Sequence, residues 1–472
     1  MVMSFSDVKK MRRERFNAYV DWTRMPNTEI MSCEVEWYSG PREYVLGVLI
    51  LDYTDDDFNG VILARDLSGR YRCIDIFASI ESISSARAKL KKMMRKHIKD
   101  GIKVFTQGDE TYKPMDLFTP LVSSDKLHPH FSLFDKYINW SPATSIIKEM
   151  MNHFEDVDGN FVEQFQTTAF DARLWELYLF AYLREEHFFL DRKYHAPDYV
   201  VRKYGETICI EAVTVNPTGN VINQDLERSY ESKNPEELAE RLENYMPIKF
   251  GSSLYSKLKK KQRYWDLEHV KGKPLVFAIA DFHEANSMVW SHSALWQYLY
   301  GMRYEHIASE DGSYHISPQK IVSHRLGEKE IPSGFFFLED AENVSAILSS
   351  NSGTISKFNR MGKLAGFGSD DVKLYRKGYC HDHDPEAAVP LMFGFEVVAG
   401  KISETWAEGL NMYHNPNAKH PVNHELFPSI AHHFFEDGMI KSIIPKFHPY
   451  SSLTLNVMFR KDGGDNPIKV DE

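Results

Sequence analysis

β-Branched and aromatic residues concentrate between turn-forming residues at Tyr199-Val200-Val201-Arg202 and Thr207-Ile208-Cys209-Ile210. Such residues fit a pleated, half-buried surface, so each run predicts a strand. With Tyr204-Gly205 as a two-residue loop, Lys203 faces Glu206. Counting outward from that pair sets Asp198, which follows Ala196-Pro197, opposite Glu211 on the same face. A wholly apolar or aromatic run broken only by Glu176, from Leu174 to Leu183, predicts a buried helix over about 168–186. A strand over 188–193, a helix over 252–267 with the stripe Leu254, Leu258 and Trp265, and a strand over 274–280 complete the local order. That order is α-β-β-β-α-β.

The flanks read differently. A charged amphipathic helix over 7–24, four strand-like runs over 31–38, 43–52, 60–66 and 70–77, and a Lys/Arg-rich helix over 84–99 predict an N-terminal α+β domain covering 1–117. Turn residues such as Ser39-Gly40-Pro41 and Leu67-Ser68-Gly69 separate its strands. Residues 118–149, with their Ser, His and Pro, are the expected linker, and 150–300 the central core. Within that core, 217–250 reads as an insertion, a polar loop followed by a short helix over 234–244 opened by Pro235-Glu236-Glu237. Residues 301–472 form a C-terminal α+β region without an assigned role, with strands expected over 334–338, 344–348 and 389–398. The fold class is mixed α/β.

A chain of 472 residues is long enough for a sizeable core and about two to four domains. Its net charge of −11 gives no general attraction to nucleic acid, so any such binding needs a local basic face. The strongest one is the run Lys257, Lys259, Lys260, Lys261 and Arg263, continued by Lys271 and Lys273; Lys257, Lys260, Lys261 and Arg263 are the candidate phosphate contacts, although a solvated face explains such a run equally well. Four dispersed cysteines, with no CxxC, argue against a zinc ribbon or a disulfide framework. Together with the lack of an apolar leader, they favour the cytoplasm. No apolar run is long enough to span a bilayer, so no membrane partner is expected. His381-Asp382-His383-Asp384 and the set His414, His420, His424, His432 and His433 lack zinc-site spacing. The glycine-containing loops at 351–357 and 362–368 do not match GxxxxGK[ST], which leaves Lys357, Arg360 and Lys363 only as weak candidates for touching a phosphate backbone.

The chemistry rests on the hairpin. Carboxylates facing each other across a strand pair stand about 5 Å apart at Cβ. At that spacing one takes a proton or the pair holds a cation, and Mg²⁺ suits such oxygen ligands. Glu176 has two readings: an i,i+3 partner for Arg173, or a third acid of the site.

The segment resembles the core of the PD-(D/E)XK, or restriction-endonuclease-like, nucleases. The resemblance covers about 130 residues and implies that Glu176, Asp198 and Glu211 hold one or two Mg²⁺ or Mn²⁺ ions for phosphodiester hydrolysis, of DNA more than RNA. The family pattern also places a Lys two positions after the Glu, where this chain has Val213. A helical wheel at about 100° per residue sets Lys261 within the apolar stripe and Lys257 at its edge, with Lys259 and Lys260 pointing away. Lys261 is therefore the expected replacement, with Lys257 second. Gln262 and Tyr264 lie near positions where some branches carry Gln and Tyr, at a different spacing. A catalytically inactive module that binds nucleic acid or protein, and an enzyme acting on small phosphorylated molecules, are the alternatives; a homo-oligomer or a partner protein is compatible with each.

Overall fold

The computed structural model describes residues 8–110, 113–218, 234–308, 314–385, 387 and 389–458. The N-terminal strands Ser32–Ser39, Val45–Asp52, Asp57–Arg65 and Tyr71–Ile80 form an antiparallel meander, edged by Lys9–Lys10. Helix Ile83–Asp100 packs Ala86, Leu90 and Met94 against Val45, Leu49, Ile62 and Phe77 of that sheet. Ser82 caps it by accepting from the Ser85 N–H, and Gly101, at φ 71°, ends it in the left-handed region. The helix expected over 7–24 is shorter, Arg13–Val20, because Lys9–Lys10 pair with Ser39 and Tyr38 instead.

The central elements are α1 (Phe170–Glu185), β1 (Phe189–Asp191), β2 (Tyr199–Lys203), β3 (Glu206–Val215), α2 (Met246–Leu258), β4 (Leu275–Asp281), α3 (His292–Tyr300), β5 (Ala346–Ser350), α4 (Ile355–Leu364), β6 (Leu410–His414), β7 (Ala431–Glu436) and β8 (Met439–Ile443). The eight strands form one mixed sheet in sequential order, β1 to β8. The pairs β1–β2 and β2–β3 are antiparallel, and β3–β4 and β4–β5 are parallel. Parallel neighbours need a crossover, which the segment containing α2 supplies between β3 and β4.

Alternation along β3 assigns its faces. Ile208 and Ile210 join a core with Leu174, Leu177 and Tyr178 of α1, whereas Cys209, Val213 and Val215 join a second core with Phe250, Leu254 and Leu258 of α2. A half-buried strand would show only one apolar face; β3 is covered on both. Helix α1 is buried almost all round, and the Trp175 indole N–H donates to the Ala278 carbonyl at 2.8 Å.

Several boundaries move. The boundary expected at 300 divides a single sheet, since β5 to β8 continue from β4 and the α1 core includes Phe358, Trp406, Leu410 and Met412. The expected linker is structured: helix Ser141–Met151 buries Ala143, Ile146, Ile147, Met150 and Met151 in that same core. Its Ser and Pro residues open helices rather than loosen the chain. Helix α2 begins and ends earlier than its expected 252–267. Helix Pro235–Glu240 and one π-type turn, Arg241–Tyr245, lead straight into it. It stops at Leu258 because the polar run Lys259 to Arg263 offers nothing to bury, and the chain resumes with a 3-10 turn at Tyr264–Asp266. The first half of the expected insertion loop, from 219 to 233, lies outside the described residues.

The strand expected over 334–338 is a 3-10 turn, Phe335–Phe337, and that over 389–398 is Leu391–Glu396, paired with Val372–Cys380. Among the described residues no helix is long and apolar enough to cross a membrane.

Candidate active site

Asp198 lies one residue before β2. The register Lys203↔Glu206 through Tyr199↔Ile210 is the one expected from the turn, and it brings Asp198 beside the residues that follow Ile210. Asp198 Oδ2 accepts from the Ala212 N–H at 2.7 Å, which ties this carboxylate to the residue after Glu211. The Asp198 carbonyl accepts from Arg192 Nη1 at 3.0 Å, so the approach to the strand is held as well.

Glu211 projects from β3 toward α2, on the face shared with Val213. Its side chain is 7 % exposed, and its Oε1 receives two donors: Lys257 Nζ at 2.6 Å and the Tyr264 hydroxyl at 2.6 Å. Lys257 stands in the last turn of α2, and Tyr264 in the 3-10 turn that follows. Val213 is buried in the α2 core. An ammonium is thus set beside Glu211 from the helix facing the strand.

Electrostatics join the acids. Burial pushes the Asp198 carboxyl well above the ordinary carboxylate range, and the charges of Glu211 and Glu176 add to that, while the Ala212 N–H and Lys257 oppose it. Burial also raises Glu176; Arg173 opposes this, and Glu211 adds a smaller upward push. Three carboxylates share one poorly solvated region. Burial, and then the charge and hydrogen bond of Glu211, hold the Tyr264 phenol far above its ordinary range, so Tyr264 is a donor here at any ordinary pH.

Glu176 makes the pair that its spacing allowed: Arg173 Nη1 reaches both carboxylate oxygens at 2.8 Å. Its main chain is fixed too, since the Tyr199 hydroxyl donates to the Glu176 carbonyl at 2.7 Å. The Arg173 pair and proximity to the other acids coexist.

Lys261 does not reach the site. The expected wheel assumed a helix through 267; α2 ends at Leu258, and Lys261 sits exposed in the bend beyond it. Lys260, expected to face away, is exposed, and its side chain lies back against Tyr264. Its Nζ donates to the Tyr264 hydroxyl at 3.1 Å and lies 4.6 Å from that ring's centroid. Arg263 and Lys259 are engaged with Asp340, at 2.6 Å each, which partly neutralises the basic face expected to meet phosphates.

The weaker candidates resolve structurally. Lys357 and Arg360 are fully buried against Glu404, at 2.7 and 2.8 Å, and so are not phosphate contacts. Lys363 donates to the Ser369 carbonyl. His414 and His432 hydrogen-bond each other at 3.0 Å, and burial pushes them down to about 3 and about 4, respectively, leaving both neutral. Among the described residues no group of three or more His, Cys, Asp or Glu side chains is arranged to hold a metal ion.

Sequence reasoning overlooked Arg192 and gave Tyr264 no role. Tyr264 carried a signal, as the first large apolar residue after five polar ones; Arg192 carried none, because its partners are main-chain carbonyls. Compared with known proteins, the chain matches no family model, no curated protein and no solved structure.

Proposed function

We propose that this protein is a metal-dependent nuclease with a restriction-endonuclease-like core, hydrolysing phosphodiester bonds of nucleic acid, DNA before RNA. The observation that carries the reading is the Lys257 ammonium 2.6 Å from Glu211, in a pocket of acids where the strand itself offers only Val213. The meander β1 to β3, the crossover through α2 and the parallel β4 support the same core.

The donor chemistry fits a hard divalent cation. Asp198 is buried among like charges that raise its proton affinity, and a bound Mg²⁺ or Mn²⁺ would relieve that repulsion. Asp198 and Glu211 would hold it. Mg²⁺ commonly takes only one or two carboxylates and keeps waters elsewhere, so a preformed set of three is not required. Glu176, engaged by Arg173, would act through water at the edge of the site. When bound, the cation supplies Lewis-acid polarisation of a phosphoryl oxygen and eases deprotonation of water.

The chain's own groups do the rest. Lys257 sets a positive charge beside Glu211, where it orients a water and stabilises the negative charge that develops on the phosphoryl oxygens. Tyr264 fixes the Glu211 rotamer by occupying the same oxygen, leaving Oε2 for other partners. Arg192 and the Ala212 N–H hold Asp198 in place.

A second reading is a catalytically inactive binding module. It is favoured by one fact: Lys257 and Tyr264 together already satisfy Glu211 Oε1, as in a purely structural ion pair. Incubating the protein and its Asp198→Ala variant with plasmid, linear DNA and RNA, in Mg²⁺, Mn²⁺ or chelator, separates the two. Cleavage by the wild type that needs the metal and Asp198 supports the nuclease; binding without cleavage in every lane supports the module.

A further inference from the structure

A second basic feature lies beside the acids, on the open edge of the sheet. A cavity of about 370 Å³ is bounded by Trp22, by Phe180 and Arg184 of α1, by β1, and by Arg192, Lys193 and Arg202. Four cations line it against two acids, Glu155 and Asp191, and Asp191 is paired with Arg202.

The two inner guanidiniums are unusual. Arg184 donates only to the main-chain carbonyls of Phe188, Trp22 and Arg24, and Arg192 only to those of Asp198 and Glu155. Among the described residues neither has a carboxylate within ion-pair distance, and the Nε–H of each is buried without a hydrogen-bond partner. A buried donor left without a partner is costly, the more so on a charged group. Burial and the neighbouring Arg24 lower Arg184 to about 10, with no acid to oppose them. His153, a half-buried lining residue, is held well below its ordinary value by desolvation and then by Arg70, Arg184, Arg65 and Arg72. The lining therefore carries an excess of positive charge, four cations against two acids.

Planar guanidiniums with unused N–H groups match the oxygens of a phosphate. Arg192 links the cavity to the candidate active site, because its Nη1 holds the Asp198 carbonyl. Phe189, 47 % exposed on β1, adds a π-face at the rim on which a base can stack, which favours a nucleotide phosphate over a free anion. Resting on the nuclease reading above, we infer that this cavity receives a phosphate of the substrate strand, flanking the one that is cut.

The test uses the full chain in chelator, where no cleavage occurs. Inorganic phosphate is compared with chloride at matched ionic strength by thermal unfolding, and a labelled single-stranded oligonucleotide is titrated by fluorescence anisotropy. The variants are Arg184→Gln and Lys193→Ala; Arg184 also braces three carbonyls, so exposed Lys193 guards against a misfolded variant. Expected are a phosphate-specific rise in the wild-type melting temperature that Arg184→Gln removes, and oligonucleotide affinity lowered about tenfold by Arg184→Gln, the equivalent of one charge-assisted hydrogen bond, and several-fold by Lys193→Ala. Phosphate stabilisation with oligonucleotide affinity unchanged in both variants would identify the occupant as free phosphate and overturn the strand assignment. No response in either assay overturns the site altogether. The two readings fail separately: a wild type that needs Arg184 for oligonucleotide binding but never cleaves leaves this site standing and removes the nuclease, and one that cleaves with affinity indifferent to both residues does the reverse.

Discussion

Replacing Lys257 by Met keeps the aliphatic stem along α2 and removes only the ammonium. Two quantities should change by different amounts. In the folded protein without metal, Glu211 loses a 2.6 Å charge-assisted bond, and a hydrogen bond to a charged group contributes about 1.5–3 kcal/mol. The lysine side chain is 30 % exposed and Tyr264 still donates to the same oxygen, so the loss falls at the lower end, about 1.5 kcal/mol. Removing one electrostatic donor to a transition state costs more, on the order of a hundredfold to a thousandfold in rate. Urea unfolding in chelator gives the first quantity, and cleavage per folded molecule in Mg²⁺ the second. A double-mutant cycle with Glu211→Gln isolates the pair, with a coupling of about 0.5–3 kcal/mol expected for groups in contact. If Lys257→Met cleaves at the wild-type rate per folded molecule, the ammonium has no part in the chemistry. If stability falls and there was no cleavage to lose, the pair is structural and the inactive module is the better reading.

Asp198→Asn should end metal-dependent cleavage yet stabilise the metal-free protein at neutral pH. The Asp198 pKa is raised on folding, so its favourable contribution is fully present below the unfolded value and lost as pH rises through the folded one. The variant's advantage, followed by thermal unfolding against pH, should therefore shrink to nothing below about pH 4; an advantage independent of pH would contradict the buried-acid cluster. Tyr264→Phe should cost about 1.5–3 kcal/mol and leave Lys257 as the remaining donor to Glu211, with cleavage reduced but not abolished; complete loss of turnover in a folded variant would assign Tyr264 a direct chemical role. Lys261→Ala, at an exposed bend, should leave turnover unchanged, and any effect should be a weaker, less salt-sensitive hold on substrate in a binding titration.

The hairpin and its two acids were legible in the chain itself, because a two-residue turn between two β-branched runs sets one register, and that register carries Asp198 and Glu211 to one place. Glu176 was legible as an oddity in an apolar helix, and its Arg173 partner by i,i+3 spacing. What failed was the choice of lysine. The wheel that favoured Lys261 needed a continuous helix, and only tertiary packing decides that α2 stops at Leu258, so that Tyr264 can turn under Glu211 and Lys260 can follow it. The same holds for the domain plan. Sequence windows show local periodicity, but whether β5 to β8 extend the sheet begun by β1, and whether residues 141–151 are tether or core, depends on long-range pairing that no window contains. Local spacing determined the acids; contacts between residues far apart in the chain decided which cation meets them.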